Sequence, residues 1–204
     1  MNKIMQIHMG SLIIIVTLFL IPVHADPVFE VLDFDKLPYE TLNRNGDFEE
    51  VKNDRLVGVQ GYGNGYKVRT GEGRNASTAA FCDNPTGDKS LGLSWSFTIS
   101  QTHPEPVTMS GWSRAENVEG SMDSDYSLYI DVIYTDGTPS WGHQVQFSTG
   151  THDWQELKLL VIPEKEIRQI SCYALFRYKK GSVWFDDITI QKSVLRTGML
   201  RLDG

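Results

Sequence analysis

The sequence predicts an all-β fold, a β-sandwich of the jelly-roll kind. Three observations carry that reading: strict two-residue alternation in the clearest segments, turn residues between them, and no run of ten or more residues with apolar side chains at helical spacing beyond the N-terminal apolar stretch. Eighteen glycines and eight prolines in 204 residues cut the chain into short pieces, as a sandwich requires. A 40% hydrophobic content supplies one sizeable core and excludes a disordered chain.

Taken in order, the chain opens with Lys3, an apolar run from Ser11 to Ile21, and Pro22-Val23-His24-Ala25. This is the pattern of a secretory signal peptide over residues 1–25, cut after Ala25. The run is shorter than the roughly 20 apolar residues of a membrane span, so no stable anchor is expected. The expected location is secreted, extracellular or periplasmic. Residues 26–42 form a less regular lead-in, either an edge strand or a linker. The sandwich itself is expected over residues 43–192. Its best strand is Ser90–Ile99, with Leu91, Leu93, Trp95, Phe97 and Ile99 on one side and small polar residues on the other. Tyr126–Tyr134 alternates as cleanly and runs into Asp136-Gly137, a tight hairpin signal. Further strands are read at Trp141–Phe147, Trp154–Ile162, Ile167–Arg177 and Val183–Ile190, with shorter ones at Asp47–Glu50, Val57–Gln60, Tyr66–Arg69 and Val107–Trp112. Residues 193–204 lie beyond the last strand and read as the start of a further region.

Charge and cysteine content narrow the function. Nineteen basic against 26 acidic residues give a net charge of −7, one unit more negative once Lys3 is removed, and no basic run is present. Nucleic-acid binding needs concentrated positive charge and is not expected. Cys82 and Cys172 stand in no CxxC spacing; they allow one disulfide in an oxidising compartment, or two buried free thiols.

Four short motifs occur in a recognisable order: Asn45-Gly46-Asp47-Phe48-Glu49, Ser110-Gly111-Trp112, Trp154-Gln155 on a strand ending at Pro163, and Trp184-Phe185-Asp186-Asp187-Ile188. Together they resemble the galactose-binding-like, jelly-roll carbohydrate-binding modules attached to bacterial glycoside hydrolases, over about residues 42–191. The resemblance implies first and last strands lying together, with a structural Ca2+ ion where they meet. Carried onto this chain, its ligands are Glu49 and Asp187, with Asp47 and Asp186 as further acids. Calcium takes six to eight hard oxygen ligands, and acids crowded at paired strand ends would otherwise repel one another; solvated strand ends are the alternative.

A neutral sugar offers hydroxyls and a patch of C–H groups, so its site needs an exposed aromatic ring beside planar polar side chains. The face of Tyr126–Tyr134 opposite its apolar side carries Tyr129, Asp131 and Ile133, and a charged residue in mid-strand is exposed or paired. Alternation in Val107–Arg114 offers Trp112 and Arg114 as companions of Asp131 on one concave sheet. His143, Gln144 and Arg177 are polar strand residues able to line it. Trp141, between Ser140 and Gly142, and Tyr62 and Tyr66, in the glycine-rich stretch 61–66, complete the candidate set. The plainer alternative pairs Asp131 with Arg114 on a wet face and buries Trp112, as Trp95, Trp154 and Trp184 are expected to be buried.

Catalysis is not expected. Glu30-Val31-Leu32-Asp33-Phe34-Asp35 has one glutamate fewer than the acid-spaced strand of jelly-roll glucanases, and no GxSxG, HExxH or phosphate-cradling loop is present. The leading expectation is a secreted, non-catalytic module that targets a polysaccharide or oligosaccharide for an attached or partner glycoside hydrolase. The alternatives are a structural or adhesive sandwich of a surface protein, and a small jelly-roll hydrolase.

Overall fold

The computed structural model describes residues 38–194 and, apart from them, two short strands, His8–Met9 (β1) and Leu12–Ile13 (β2), which pair antiparallel. The signal-peptide reading of residues 1–25, the acidic segment 30–35 and the tail from 195 onward lie outside the described residues. Residues 40–193 form one unit; residues 1–39 with 194–204 form another, in which the Val194 amide donates to the Pro38 carbonyl. Among the described residues no helix is long and apolar enough to cross a membrane.

The strands are Tyr39–Thr41 (β3), Val51–Lys52 (β4), Arg55–Leu56 (β5), Gln60–Gly61 (β6), Lys67–Thr70 (β7), Thr78–Asn84 (β8), Ser90–Thr98 (β9), Val107–Val118 (β10), Tyr126–Tyr134 (β11), Pro139–Gln146 (β12), Gly150–Val161 (β13), Ile167–Arg177 (β14) and Gly181–Ser193 (β15). Apart from β4 and β5, which pair as a separate hairpin, they build a jelly-roll β-sandwich of two sheets. One has the order β13-β10-β15-β8-β7, with β3 beside β15; the other has the order β12-β11-β14-β9-β6. Chain neighbours are mostly not sheet neighbours, so each sheet is assembled from distant segments, and the two stack face to face over one core.

Alternation decides which side of each strand enters that core. Tyr126, Leu128, Ile130, Val132 and Tyr134 of β11 are buried, as are Leu91, Leu93 and Trp95 of β9. Tyr126, Phe147, Phe176 and Phe185 cluster at centroid distances of 5.0–6.1 Å. The Tyr126 hydroxyl lies 2.6 Å from Ser113 Oγ, which donates to the Trp184 carbonyl at 2.8 Å. This buried polar link ties β11 of one sheet to β10 of the other, and burial raises the Tyr126 pKa. Cys82 on β8 and Cys172 on β14 belong to different sheets and are free; burial pushes both thiols well above their ordinary value.

Three sequence readings change. Val57–Gln60 is a turn between β5 and β6 rather than a strand, with only Gln60 on β6. Asp47–Glu50 is not a strand, because Phe48 adopts φ +59 and drops its ring fully into the core. In this turn Asn45 takes the Glu50 amide on Oδ1 and donates Nδ2 to the Glu50 and Val57 carbonyls. Asn43 imitates a strand, donating to the Ile188 carbonyl and accepting the Ile190 amide. Segment 43–48 therefore closes against β15, as the resemblance implied. The strand β8 is new: beside Thr78 and Phe81 it carries Ala79, Ala80, Cys82, Asp83 and Asn84, with no two-residue alternation to mark it.

Candidate functional site

The outer face of the β12-β11-β14-β9-β6 sheet gathers the residues that point away from the core on five strands. Tyr129 on β11 stands directly opposite Tyr173 on β14, and Tyr173 opposite Ser94 on β9. Residues directly opposite in an antiparallel pair share a face, so the two rings meet, 5.9 Å between centroids and 68° between planes. Beyond β6 the Tyr62 amide bonds the Gly92 carbonyl, and the Tyr62 ring packs on Tyr173 at 5.4 Å and 77°. Three tyrosines thus form one edge-to-face strip running across the strands, a favourable ring arrangement.

At the far edge, β12 continues the strip through a bulge. Ile130 pairs with His143 and Val132 with Ser140, which leaves Trp141 and Gly142 together opposite Asp131. Gly142 takes φ +86, a conformation that glycine adopts freely, and its amide donates to Asp131 Oδ1 at 3.2 Å. The bulge leaves Trp141 60% exposed, the most exposed tryptophan of the described residues. Strands lie about 4.8 Å apart, so the row from β6 to β12 spans roughly 19 Å.

Charge is unevenly placed along this row. Asp131 is the one acidic residue in the five strands of the sheet. Tyr129, two residues before it on the same face, lies within its influence: burial raises the Tyr129 pKa, with the Asp131 charge adding to the effect, and Tyr173 is raised by the same two causes among others. Arg177, at the other end, holds Asp125 at 2.9 Å and reaches the Tyr62 hydroxyl at 3.5 Å. Asp131, Arg177, Tyr62 and Trp141 are thus brought together on one face as candidate contacts, joined by Tyr129 and Tyr173. Tyr173 was not singled out by the sequence, although alternation from the apolar Cys172 and Ala174 places it outward.

The remaining candidates lie elsewhere. His143 shares the side of its partner Ile130, toward the core, and its Nε2 lies 2.9 Å from Ser140 Oγ. Tyr66 is a structural residue: its hydroxyl accepts the Leu56 amide at 3.3 Å and donates to the Val59 carbonyl at 3.4 Å, while its ring packs on the core. Trp112 and Arg114 do not share a face with Asp131, because β10 belongs to the other sheet. On that sheet's outer face the rings are capped by guanidinium groups: Arg74 lies 3.7 Å over Trp112, Arg114 lies 4.1 Å over Trp184 and 5.7 Å from Trp154, and Arg69 lies 5.1 Å over Phe81. Trp154 and Trp184 are therefore outer-face residues rather than core, and Trp184 is buried beneath its arginine with Nε1 on Glu72. Trp95 is in the core as expected.

The acidic residues at the strand ends have protein partners. The Asp187 carboxylate pairs with the Arg74 guanidinium, Glu49 Oε1 accepts the Thr78 amide at 2.7 Å, and Asp47 is exposed. Asp186 is fully buried, taking the Arg74 amide and the Ser77 hydroxyl on Oδ2 and the Asp187 amide on Oδ1. Burial raises its pKa while those bonds oppose the rise. Glu49 and Asp187 thus reach the two ends of the segment 74–78, yet among the described residues no three Asp, Glu, His or Cys side chains converge as a metal site. These side chains alone do not make the oxygen shell that calcium takes; the cation that Asp187 holds is Arg74.

Comparison with known proteins follows this geometry. No family model matches the chain. The tRNA nuclease WapA of Bacillus subtilis strain 168 is 33% identical over 95 residues, as is the tRNA3(Ser)-specific nuclease WapA of Bacillus spizizenii. Those residues are 46% of this chain and only 4% of either nuclease. Among solved structures, the CBM22-1 xylan-binding domain from Paenibacillus barcinonensis Xyn10C superposes with a TM-score of 0.54 at 15% identity, covering 74% of this chain and 94% of that one. The tandem CBM22-1–CBM22-2 structure from the same protein gives 0.56 at 16% identity over 82% of this chain and 49% of that one. TmCBM61, solved with β-1,4-galactotriose, gives 0.50 at 14% identity over 74% of this chain and 97% of that one. The likeness is one of fold: the chain has the jelly-roll sandwich found in carbohydrate-binding modules.

Proposed function

We propose that this chain, a jelly-roll sandwich of the carbohydrate-binding-module fold, binds a polysaccharide along the tyrosine strip of its β12-β11-β14-β9-β6 sheet. The observation that carries the reading is the row Tyr62–Tyr173–Tyr129, extended by the exposed Trp141 and flanked by Asp131 and Arg177. Rings supply apolar surface for sugar C–H faces, and the flanking charges bond hydroxyls. An open row crossing five strands suits several consecutive sugars of a polymer better than a single buried ring. The neighbours of like fold that bind xylan and galactotriose support the ligand class without naming the sugar.

The domain acts on this reading as a non-catalytic binder. Glycoside hydrolysis needs two carboxylates facing one another across the bond, and the strands under this face bring Asp131 alone. The apolar N-terminal run supports secretion, and a polysaccharide-degrading partner enzyme fits the role. A second reading, a spacer without sugar affinity inside a longer chain, is favoured by the match to a small fraction of the two nucleases. Affinity electrophoresis against soluble polysaccharides separates the two. Retardation by a neutral polymer, lost in Tyr173→Ala with its melting temperature kept, is the expected result. No retardation by any polymer would leave the spacer.

A further inference from the structure

We infer that Asp131 is the specificity-determining residue of the tyrosine face, selecting neutral sugars and rejecting uronic acids and other anionic ones. The inference rests on the binding function just proposed and adds the chemical class of the ligand.

The argument begins from placement. Asp131 lies in the third row of a five-strand face, between the Trp141–Gly142 bulge on one side and Ser171 on the other. Its hydrogen-bond partner is neutral, the Gly142 amide at 3.2 Å, and Tyr129 stands two residues away on the same face. The cations of the same sheet stand apart. Arg177 is six residues along β14 from Ser171; its charge reaches Tyr129, but its guanidinium is held by Asp125 at 2.9 Å rather than by Asp131. Arg168 is three residues the other way, about 10 Å. Among the described residues no cation is paired with Asp131 at the bulge.

One neutral donor does not saturate a carboxylate, which has about four lone-pair sites. Those that remain suit the hydroxyl donors of a sugar, and bonds from a hydroxyl to an ionised acceptor are about twice as strong as neutral ones. A sugar carrying its own carboxylate or sulfate at this point would meet a like charge instead, with no cation to bridge them. The exposed Trp141 beside it fixes where such a sugar would lie, since a ring stacked there brings its substituents to the Asp131 side of the bulge. The face is thus built to prefer donors at Asp131 and to refuse anions.

The test compares the parent chain with Asp131→Asn, a substitution of the same shape, against matched pairs of polymers: arabinoxylan with glucuronoxylan, and galactan with polygalacturonate. The parent should be retarded by a neutral member and not by its uronate counterpart. Asp131→Asn should weaken the neutral binding by about tenfold while narrowing the gap between the neutral and the uronate polymer, because the like-charge repulsion is removed. A tyrosine titration gives a readout free of ligand: the variant should ionise Tyr129 at lower pH than the parent, with an unchanged melting temperature. Equal preference in parent and variant overturns the role of Asp131 while leaving the binding function standing. Uronate binding by the parent overturns the selectivity, and no binding of any polymer overturns function and inference together.

Discussion

At the residue scale, Arg74 joins three groups on the outer face beside the acids that the sequence suggests as metal ligands. Its backbone amide caps Asp186, its guanidinium pairs with Asp187, and the same group lies over the Trp112 ring. The Asp187 pair is partly exposed, so its ionic contribution is small, and the stack adds about 0.5–1 kcal/mol. Arg74→Met should lower stability by about 1 kcal/mol, read as a fall in melting temperature. It also leaves the Asp187 carboxylate free. Calcium should therefore raise the melting temperature of Arg74→Met more than that of the parent, and equal shifts in the two would place any calcium elsewhere. Gly46 belongs to the same corner: a Cβ there would sit 2.3 Å from the Ile188 carbonyl oxygen, so the glycine of the Asn-Gly-Asp-Phe motif lets segment 43–48 close on β15. That motif is legible in the sequence, but its part is structural.

At the element scale, the bulge on β12 is what brings Trp141 and Asp131 together. A regular strand would pair each residue of β12 with one of β11, and Gly142 at φ +86 inserts the extra residue. Gly142→Ala should cost about 1–2 kcal/mol, because the left-handed conformation is disfavoured for a residue with a Cβ. It should also weaken polysaccharide binding by shifting the amide that holds Asp131. A calorimetric melt and a retardation assay on the same variant check both effects; full stability with full binding would show that the bulge geometry is not needed. The hairpin turn at Asp136-Gly137 was plain in the sequence, and Tyr126–Tyr134 and Ile167–Arg177 begin and end where the alternation does. The bulge was not legible, because Trp141-Gly142 reads equally as a loop or a strand edge.

At the scale of the whole molecule, the two sheets carry different outer faces. One is closed by its own arginines over Trp112, Trp154, Trp184 and Phe81; the other leaves three tyrosines and Trp141 open to a ligand. The core between them holds two free thiols, one from each sheet. A thiol reagent should find neither Cys82 nor Cys172 in the folded protein and both after unfolding without reductant. Unfolded protein with no reactive thiol would instead show a bridge between the sheets.

By itself the sequence determined the class of fold, the long strands, the side of each strand that is buried, and the turn motifs, because a two-residue period and turn chemistry are local properties. Leu128 is inside and Tyr129 outside whatever the rest of the chain does. Only the tertiary structure decided which sheet each strand joins, and so which outward residues meet. Trp112, Arg114 and Asp131 all point outward, yet β10 and β11 lie in opposite sheets, so the first two cannot reach the third. Outward on one sheet and outward on the other look alike in sequence. Long-range pairing of strands such as β11 with β14 tells them apart, and that pairing brought Tyr173 between Tyr129 and Tyr62.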